Sequence, residues 1–304
     1  MYFSLLSIVW IPYYPFLKIQ FVFIEVIPFG GSIDNKWLTY YVRDELAINI
    51  RIGCLVEVPF RNVVDYAIVT SLENLEIPEN PKSIIRVVTS VPLPASYQIR
   101  SIFEISSYYF VHAHHILSLF LSKSLVRYLE KKDFSLLSPQ VKNEKKITRD
   151  DSVGFYHHTS NESFFQEIQK QAIDRTVIVF PDDFSLEAYL RIYPINSETT
   201  LCIPDKLTET KKYKAFCSIY NGEKNIIIWT RRILYYNLSH YDRILYIEDS
   251  LHKSAMRFGH TYKHLEILRK IFQNSNFNIM IYSTIPSIES MYLLHSGIYK
   301  KLNW

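Results

Sequence analysis

Residues 222–238 read GEKNIIIWTRRILYYNL. Behind a Gly-Glu-Lys lead, the apolar run over 225–229 stops at a hydroxyl and two cations: Thr230, Arg231 and Arg232. A short β-branched and aromatic run with such boundaries predicts a strand buried on both faces. Similar runs at 176–180, 200–203, 243–247 and 278–282 predict four more strands. Helical spacing of apolar residues falls between them, over 163–173, 185–192, 208–218, 263–274 and 287–295. That alternation predicts a mainly parallel sheet with helices on both faces. Folds of this kind bind ligands in the loops beyond the strands' C-terminal ends, so those loops hold the candidate chemistry.

The first half reads differently. A dense Val/Ile/Phe run over 19–27 and further β-branched or aromatic runs over 37–42, 54–58, 63–71 and 84–91 predict five short strands. Turn signals separate them at Gly30-Gly31, Asp34-Asn35, Asn49 and Gly53, and 59–62. This spacing predicts a small β-barrel. From Ser96 the pattern turns helical, and a second helix is expected over 116–128. The expected organisation is an apolar extension over 1–18, a barrel domain with closing helices over 19–129, a charged linker over 130–152, and an α/β lobe over 153–304. Lys131, Lys132, Lys142, Lys145 and Lys146 make the linker basic, with acids interspersed, as in a solvated hinge.

Composition narrows the function classes. The chain has 304 residues, 48% of them hydrophobic, and a net charge of +4. A pI near 8.7 permits nucleic-acid binding without requiring it. Cys54, Cys202 and Cys217 lie far apart, form no CxxC pair, and fit a reducing cytoplasm. Residues 1–17, MYFSLLSIVWIPYYPFL, are apolar but interrupted by Pro12 and Pro15 and lack a basic lead. They are too short and broken for a spanning helix and miss the signal-peptide pattern, so no stable membrane insertion is expected. His112, His114 and His115 lack a companion Cys or carboxylate at ligand spacing, so no metal is expected.

Four segments of the first half resemble, in order and spacing, the N-terminal DNA-binding domain of the replication-restart helicase family PriA (primosomal protein N′). They are FIEVIPFGGSIDNKWLTYYV at 23–42, GCLVEVPF at 53–60, IIRVVTSVPLP at 84–94 and IFEISSYYFVHAHHIL at 102–117. The resemblance implies an OB-like barrel that grips the 3′ end of a nascent strand at a stalled fork. It departs from the family at three places. The family aspartate beside the strand aromatic falls at Thr39, next to Tyr40; the glycine usual after Pro-Phe is Arg61; and the small residue of the next strand falls at Tyr66-Ala67. Trp37, Tyr40, Tyr41 and Phe60 could stack on bases, whose π-faces any aromatic can meet, although barrel core is the commoner place for such residues. Arg61, in a predicted turn, is placed to reach a phosphate or simply to face solvent.

The second half is similar to the first motor lobe of the same family, a RecA-like lobe of superfamily 2. VIVFPDD at 177–183 resembles a strand ending in Pro-Glu, and GEKNIIIWTRRILYYNL keeps the Thr-Arg pair. ILYIEDSLH at 244–252 occupies the Asp-Glu-Glu-His site, while YSTIPSIES at 282–290 retains Ser283, Pro286 and Glu289 of a Ser-Ala-Thr-Pro-x-x-Glu-Thr segment. The phosphate loop is missing. Its place reads Gly154-Phe155-Tyr156-His157-His158-Thr159-Ser160-Asn161, with Ser160 for the lysine and Asn161 for the Mg²⁺-binding hydroxyl. Such a loop needs glycines to wrap phosphate in backbone N–H groups, a Lys for the β/γ-phosphates and a Ser/Thr for the metal. Glu248 and Asp249 could partly imitate the acidic pair, but Ser250 and Leu251 replace the third acid and the histidine. The chain stops at Trp304, so neither a second lobe nor a zinc insert is expected.

The reading is therefore multidomain, β plus α/β: an OB-like β-barrel followed by a degenerate RecA-like helicase lobe. No enzyme activity and no cofactor are expected. The expected partner is forked or single-stranded DNA, 3′ ends included, in replication restart or repair, with replication or primosome proteins beside it. Thr230, Arg231 and Arg232 would contact phosphate oxygens, extended by Arg257, His260 and Lys263. Alternatively Arg231 is a structural ion-pair residue. Two other readings stand: a protein-interaction scaffold built on the lobe without DNA contact, and a residual nucleotide-binding enzyme.

Overall fold

The computed structural model describes residues 22–31, 38–72, 79–132, 134, 137, 153–157, 161–203, 208–248, 255–257 and 260–302. In the first half the strands are β1 (Val22–Pro28), β2 (Leu38–Val42), β3 (Leu55–Phe60), β4 (Val63–Ser71), β5 (Lys82–Ser83) and β6 (Arg86–Thr89). A single helical turn, α1 (Asp44–Ala47), follows β2. The sheet runs β5-β2-β1-β4-β3-β6, antiparallel except for the parallel β5–β2 pair. Its two end strands are consecutive in the chain. Between them, Ile84 N–H donates to the Tyr41 carbonyl on β2 at 3.1 Å, and Ile85 N–H donates to the Glu57 carbonyl on β3 at 2.8 Å. The sheet has curled until its ends meet, which covers edges that would otherwise invite pairing. Register shifts at Glu25/Val26 and Leu55/Val56 mark the bulges that allow the bend.

Strand alternation sorts the side chains. Ile24, Val26, Tyr40, Val42, Val56, Val58, Ala67 and Val69 fill the interior. Ile27, Leu55 and Ile68 face outward under three helices, α2 (Ser96–Tyr108), α3 (Ala113–Phe120) and α4 (Lys123–Lys131). The single helix expected over 116–128 is in fact broken. Leu121 is extended (φ −144°, ψ 101°), and the Ser122 hydroxyl accepts from Leu125 N–H at 3.3 Å, starting α4 as an N-cap.

The lobe contains β7 (Val153–His157), α5 (Asn161–Gln171), β8 (Thr176–Phe180), α6 (Asp183–Ile192), β9 (Thr200–Cys202), α7 (Glu209–Asn221) and β10 (Ile226–Thr230). A 3₁₀ turn over Arg231–Tyr235 leads to β11 (Arg243–Glu248), the hairpin β12 (Ala255–Arg257) and β13 (His260–Tyr262), and α8 (His264–Asn274). The fold ends with β14 (Asn278–Ser283), α9 (Ile288–His295) and β15 (Tyr299–Lys301). The sheet order is β15-β7-β14-β11-β8-β10-β9, with every pair parallel. One face, with Tyr156, Ile178, Phe180, Leu245 and Tyr282, packs on Ile168 of α5 and Leu186 and Tyr189 of α6. The other, with Phe155, Val179, Trp229, Tyr246 and Ile281, joins Phe216 and Ile219 of α7 and Ile267 and Ile271 of α8. An OB-like barrel is thus followed by a RecA-like parallel lobe.

The second cluster does not stop at the lobe. It continues through Ile99, Ile102 and Ile105 of α2 to Leu55 and Ile68 on the barrel's outer face. Polar contacts reinforce this seam: Tyr220 Oη donates to the Pro92 carbonyl at 2.8 Å, and Leu238 N–H donates to Tyr97 Oη at 3.0 Å.

Candidate nucleic-acid interface

Strand parity decides the aromatics of the barrel. Tyr40 is 4% exposed and Phe60 9%, so both take the barrel-core role of the two weighed for them and do not present a ring face for stacking. Tyr40 Oη donates to the Pro59 carbonyl at 3.1 Å. Burial, and secondarily the charge of Asp65, pushes the Tyr40 phenol up to about 12. Thr39 and Tyr41 alternate with it and are only half-buried, with Thr39 opposite Glu25 on β1. Trp37 lies outside the described residues. Arg61 is exposed at the tip of the β3–β4 hairpin, whose register leaves Arg61 and Asn62 as the two-residue turn. Its φ of 54° is the left-handed conformation that glycine adopts most easily, and its guanidinium carbon lies 5.1 Å from the Phe60 ring centroid.

A buried acid beside this rim escaped sequence reading. Asp65, 4% exposed, accepts from Gly30 N–H and from Lys123 Nζ, tying the 29–31 loop to α4. The signal was a lone carboxylate in the apolar run 63–69. Next to it, His114 fills the space above Gly31, where an added Cβ would sit 2.7 Å from its Nε2. Desolvation, followed by the neighbouring His115 and His112, lowers the His114 pKa to about 4. The rings of His114 and His115 lie 4.0 Å apart, but among the described residues no His/Cys/Asp/Glu group is arranged to hold a metal.

At the C-terminal edge of the lobe sheet, Gly154 is not in a turn. It lies inside β7, opposite Met280 and Lys300, where a Cβ would meet Leu302 Cδ1 at 2.4 Å. Only residues 158–160 separate the end of β7 from Asn161, the first residue of α5. Ser160 and Asp249 lie outside the described residues. Glu248 ends β11 at 8% exposure, and its Oε1 accepts from the hydroxyls of Ser287 and Ser290, each at 2.6 Å. In register beside it stand Ser283 and then His157, the latter exposed.

The Thr230-Arg231-Arg232 cluster is split by the 3₁₀ turn. Thr230 (3% exposed) and Arg231 (9%) turn inward, while Arg232 is exposed. Arg231 Nε has no hydrogen-bond partner among the described residues. Of the expected extension, Arg257 and His260 are backbone register partners in the β12–β13 pair, and Lys263 pairs with Glu289. Among the described residues no helix is long and apolar enough to cross a membrane.

Residues 27–122, which take in the end of β1, strands β2 to β6 and helices α2 and α3, match the family model of the 3′ DNA-binding domain of PriA. No curated protein matches the chain. Among solved structures, the C-terminal domain of the DEAD-box protein Dbp5 is similar over 49% of this chain and 87% of that one. Identity there is 7% and the TM-score 0.34, so the lobe's class rests on its own strand order.

Proposed function

We propose that this chain is a PriA-like protein that binds forked or single-stranded DNA in replication restart, and that its lobe does not turn over ATP. The match of residues 27–122 to a 3′ DNA-binding domain carries the binding half. Arg61 and Arg232, both exposed, are the cations that would meet phosphates. Cytoplasmic location and recruitment of primosome proteins belong to the same proposal.

Two observations support the inactive half. Phosphoryl transfer depends on a backbone cradle with its Lys and on carboxylates free to hold the metal and orient water. Here a strand runs through Gly154 to His157, leaving an interval of three residues, 158–160, before α5. Glu248 Oε1 is taken up by two serine hydroxyls, leaving the buried Oε2 as its one acceptor without a partner among the described residues. The lobe then serves to hold the barrel and its helices. Anisotropy with labelled forks, run beside an ATP-hydrolysis assay, tests both halves. DNA-stimulated hydrolysis above background overturns the inactive half; no fork binding at low salt overturns the binding half.

One observation favours a second reading, a protein-docking lobe without DNA contact. Ile285, Ile288, Met291 and Tyr292, at helical spacing along and before α9, are 61%, 86%, 50% and 67% exposed. Absence of fork binding together with a defined protein complex lost on Ile288→Glu would favour it.

A further inference from the structure

Phe110 stands where neither packing nor backbone preference calls for a large ring. α2 closes with a paired cap: Val111 N–H donates to the Ser106 carbonyl at 3.0 Å and Phe110 N–H to the Ser107 carbonyl at 3.3 Å. This motif forces the left-handed region on its central residue, and glycine is strongly preferred there. The chain meets the same demand with Gly222 after α7 (φ 65°) and Gly297 after α9 (φ 75°). After α2 it uses phenylalanine at φ 53°, 94% exposed. The motif's apolar contact comes from the next residue, Val111, 3% exposed. A bulky side chain held at positive φ is an outlier, and an outlier of this kind points toward function.

The elbow lies where barrel, helices and lobe meet. Tyr109 Oη accepts from Lys263 N–H of the lobe at 2.9 Å, and His114, five residues on, packs against Gly31 of the barrel rim. Tyr108, 53% exposed, has the Lys270 ammonium 6.0 Å from its ring centroid. Two exposed aromatics two residues apart, one of them near a cation, match the composition of single-strand grooves. Aromatic anchors between proteins instead sit centrally in well-packed, desolvated pockets.

We propose that Phe110 is a stacking platform for an unpaired nucleobase, carrying single-stranded DNA across the elbow between barrel and lobe. This rests on the DNA-binding reading above. The left-handed backbone holds the ring outward, and the stack is tolerant of base identity.

The test uses the full chain, labelled oligo(dT) and anisotropy at two salt concentrations, with Phe110→Gly, Phe110→Asn and Phe110→Trp. Glycine and asparagine both suit the backbone, so Phe110→Gly should melt no lower than the parent. Affinity should nevertheless fall about 5- to 150-fold in both small variants, as loss of one stack implies. The ratio should be equal at low and high salt, because stacking releases no counterions. Phe110→Trp should bind like the parent. Parent-like affinity of Phe110→Gly overturns the platform and leaves DNA binding standing. A parent that fails to bind oligo(dT) at low salt overturns both.

Discussion

Gln98, on the helix that closes the barrel, donates through Nε2 to the Tyr236 carbonyl of the lobe at 2.9 Å and to the Tyr235 carbonyl at 3.2 Å. Its Oε1 accepts from Ala95 N–H at 2.9 Å, and the side chain is 1% exposed. A single buried amide therefore satisfies backbone groups on both sides of the seam. Gln98→Leu should cost about 1–3 kcal/mol by stranding them. Chemical denaturation followed by circular dichroism measures it, and a loss below about 0.5 kcal/mol, the range of an ordinary surface substitution, would contradict this role.

Arg61 holds a glycine-like conformation at the hairpin tip. Arg61→Gly should raise stability by up to about 1 kcal/mol, since the left-handed cost of about 1–2 kcal/mol for a non-glycine residue is partly offset by glycine's greater freedom in the unfolded chain. Fork affinity should fall at the same time, with the slope of log affinity against log salt reduced by about one. Melting curves and a salt titration read the two effects separately.

Tyr40 belongs to the core, so its replacement should act on folding rather than on stacking. Tyr40→Leu should lower the denaturation midpoint, through lost volume and the lost bond to the Pro59 carbonyl. Affinity of the folded fraction for single strands should be unchanged. A selective loss of affinity at parent stability would place the ring in contact with DNA.

His114 gives stability a pH dependence of definite sign. The folded state keeps it neutral down to about 4, whereas its ordinary value is 6.5. Between these values the unfolded chain binds the extra proton, so stability is full above about 6.5 and falls as pH drops toward about 4. Melting at pH 7 and pH 5 should show the drop, and His114→Asn should lessen it.

Much of the lobe was legible because strands buried on both faces, such as β8 and β10, read as uninterrupted apolar runs. β7 was not: Gly154 and His157 resemble turn residues, and the glycine's reason is Leu302, distant in sequence. The short strand β15 has too few residues to show a period. In the barrel, the strand β2 was legible but its inward face was not. Leu38, Thr39, Tyr40 and Tyr41 give no parity until β1 and β4 fix which side is core. Backbone conformation at Phe110 was equally hidden, because the residue type does not announce a positive φ, whereas at Arg61 the glycine usual in the resembling family was its one trace. The Thr230-Arg231-Arg232 cluster was visible, but the 3₁₀ turn that buries Arg231 was not.

Recognition of forked DNA is read by anisotropy of the full chain on a fork with an exposed 3′ end, beside a blunt duplex, across a salt series. The fork should be preferred, with log affinity falling linearly in log salt and affinity weakening further in Arg61→Gly. Equal binding to both DNAs, or none to the fork at low salt, would contradict fork recognition.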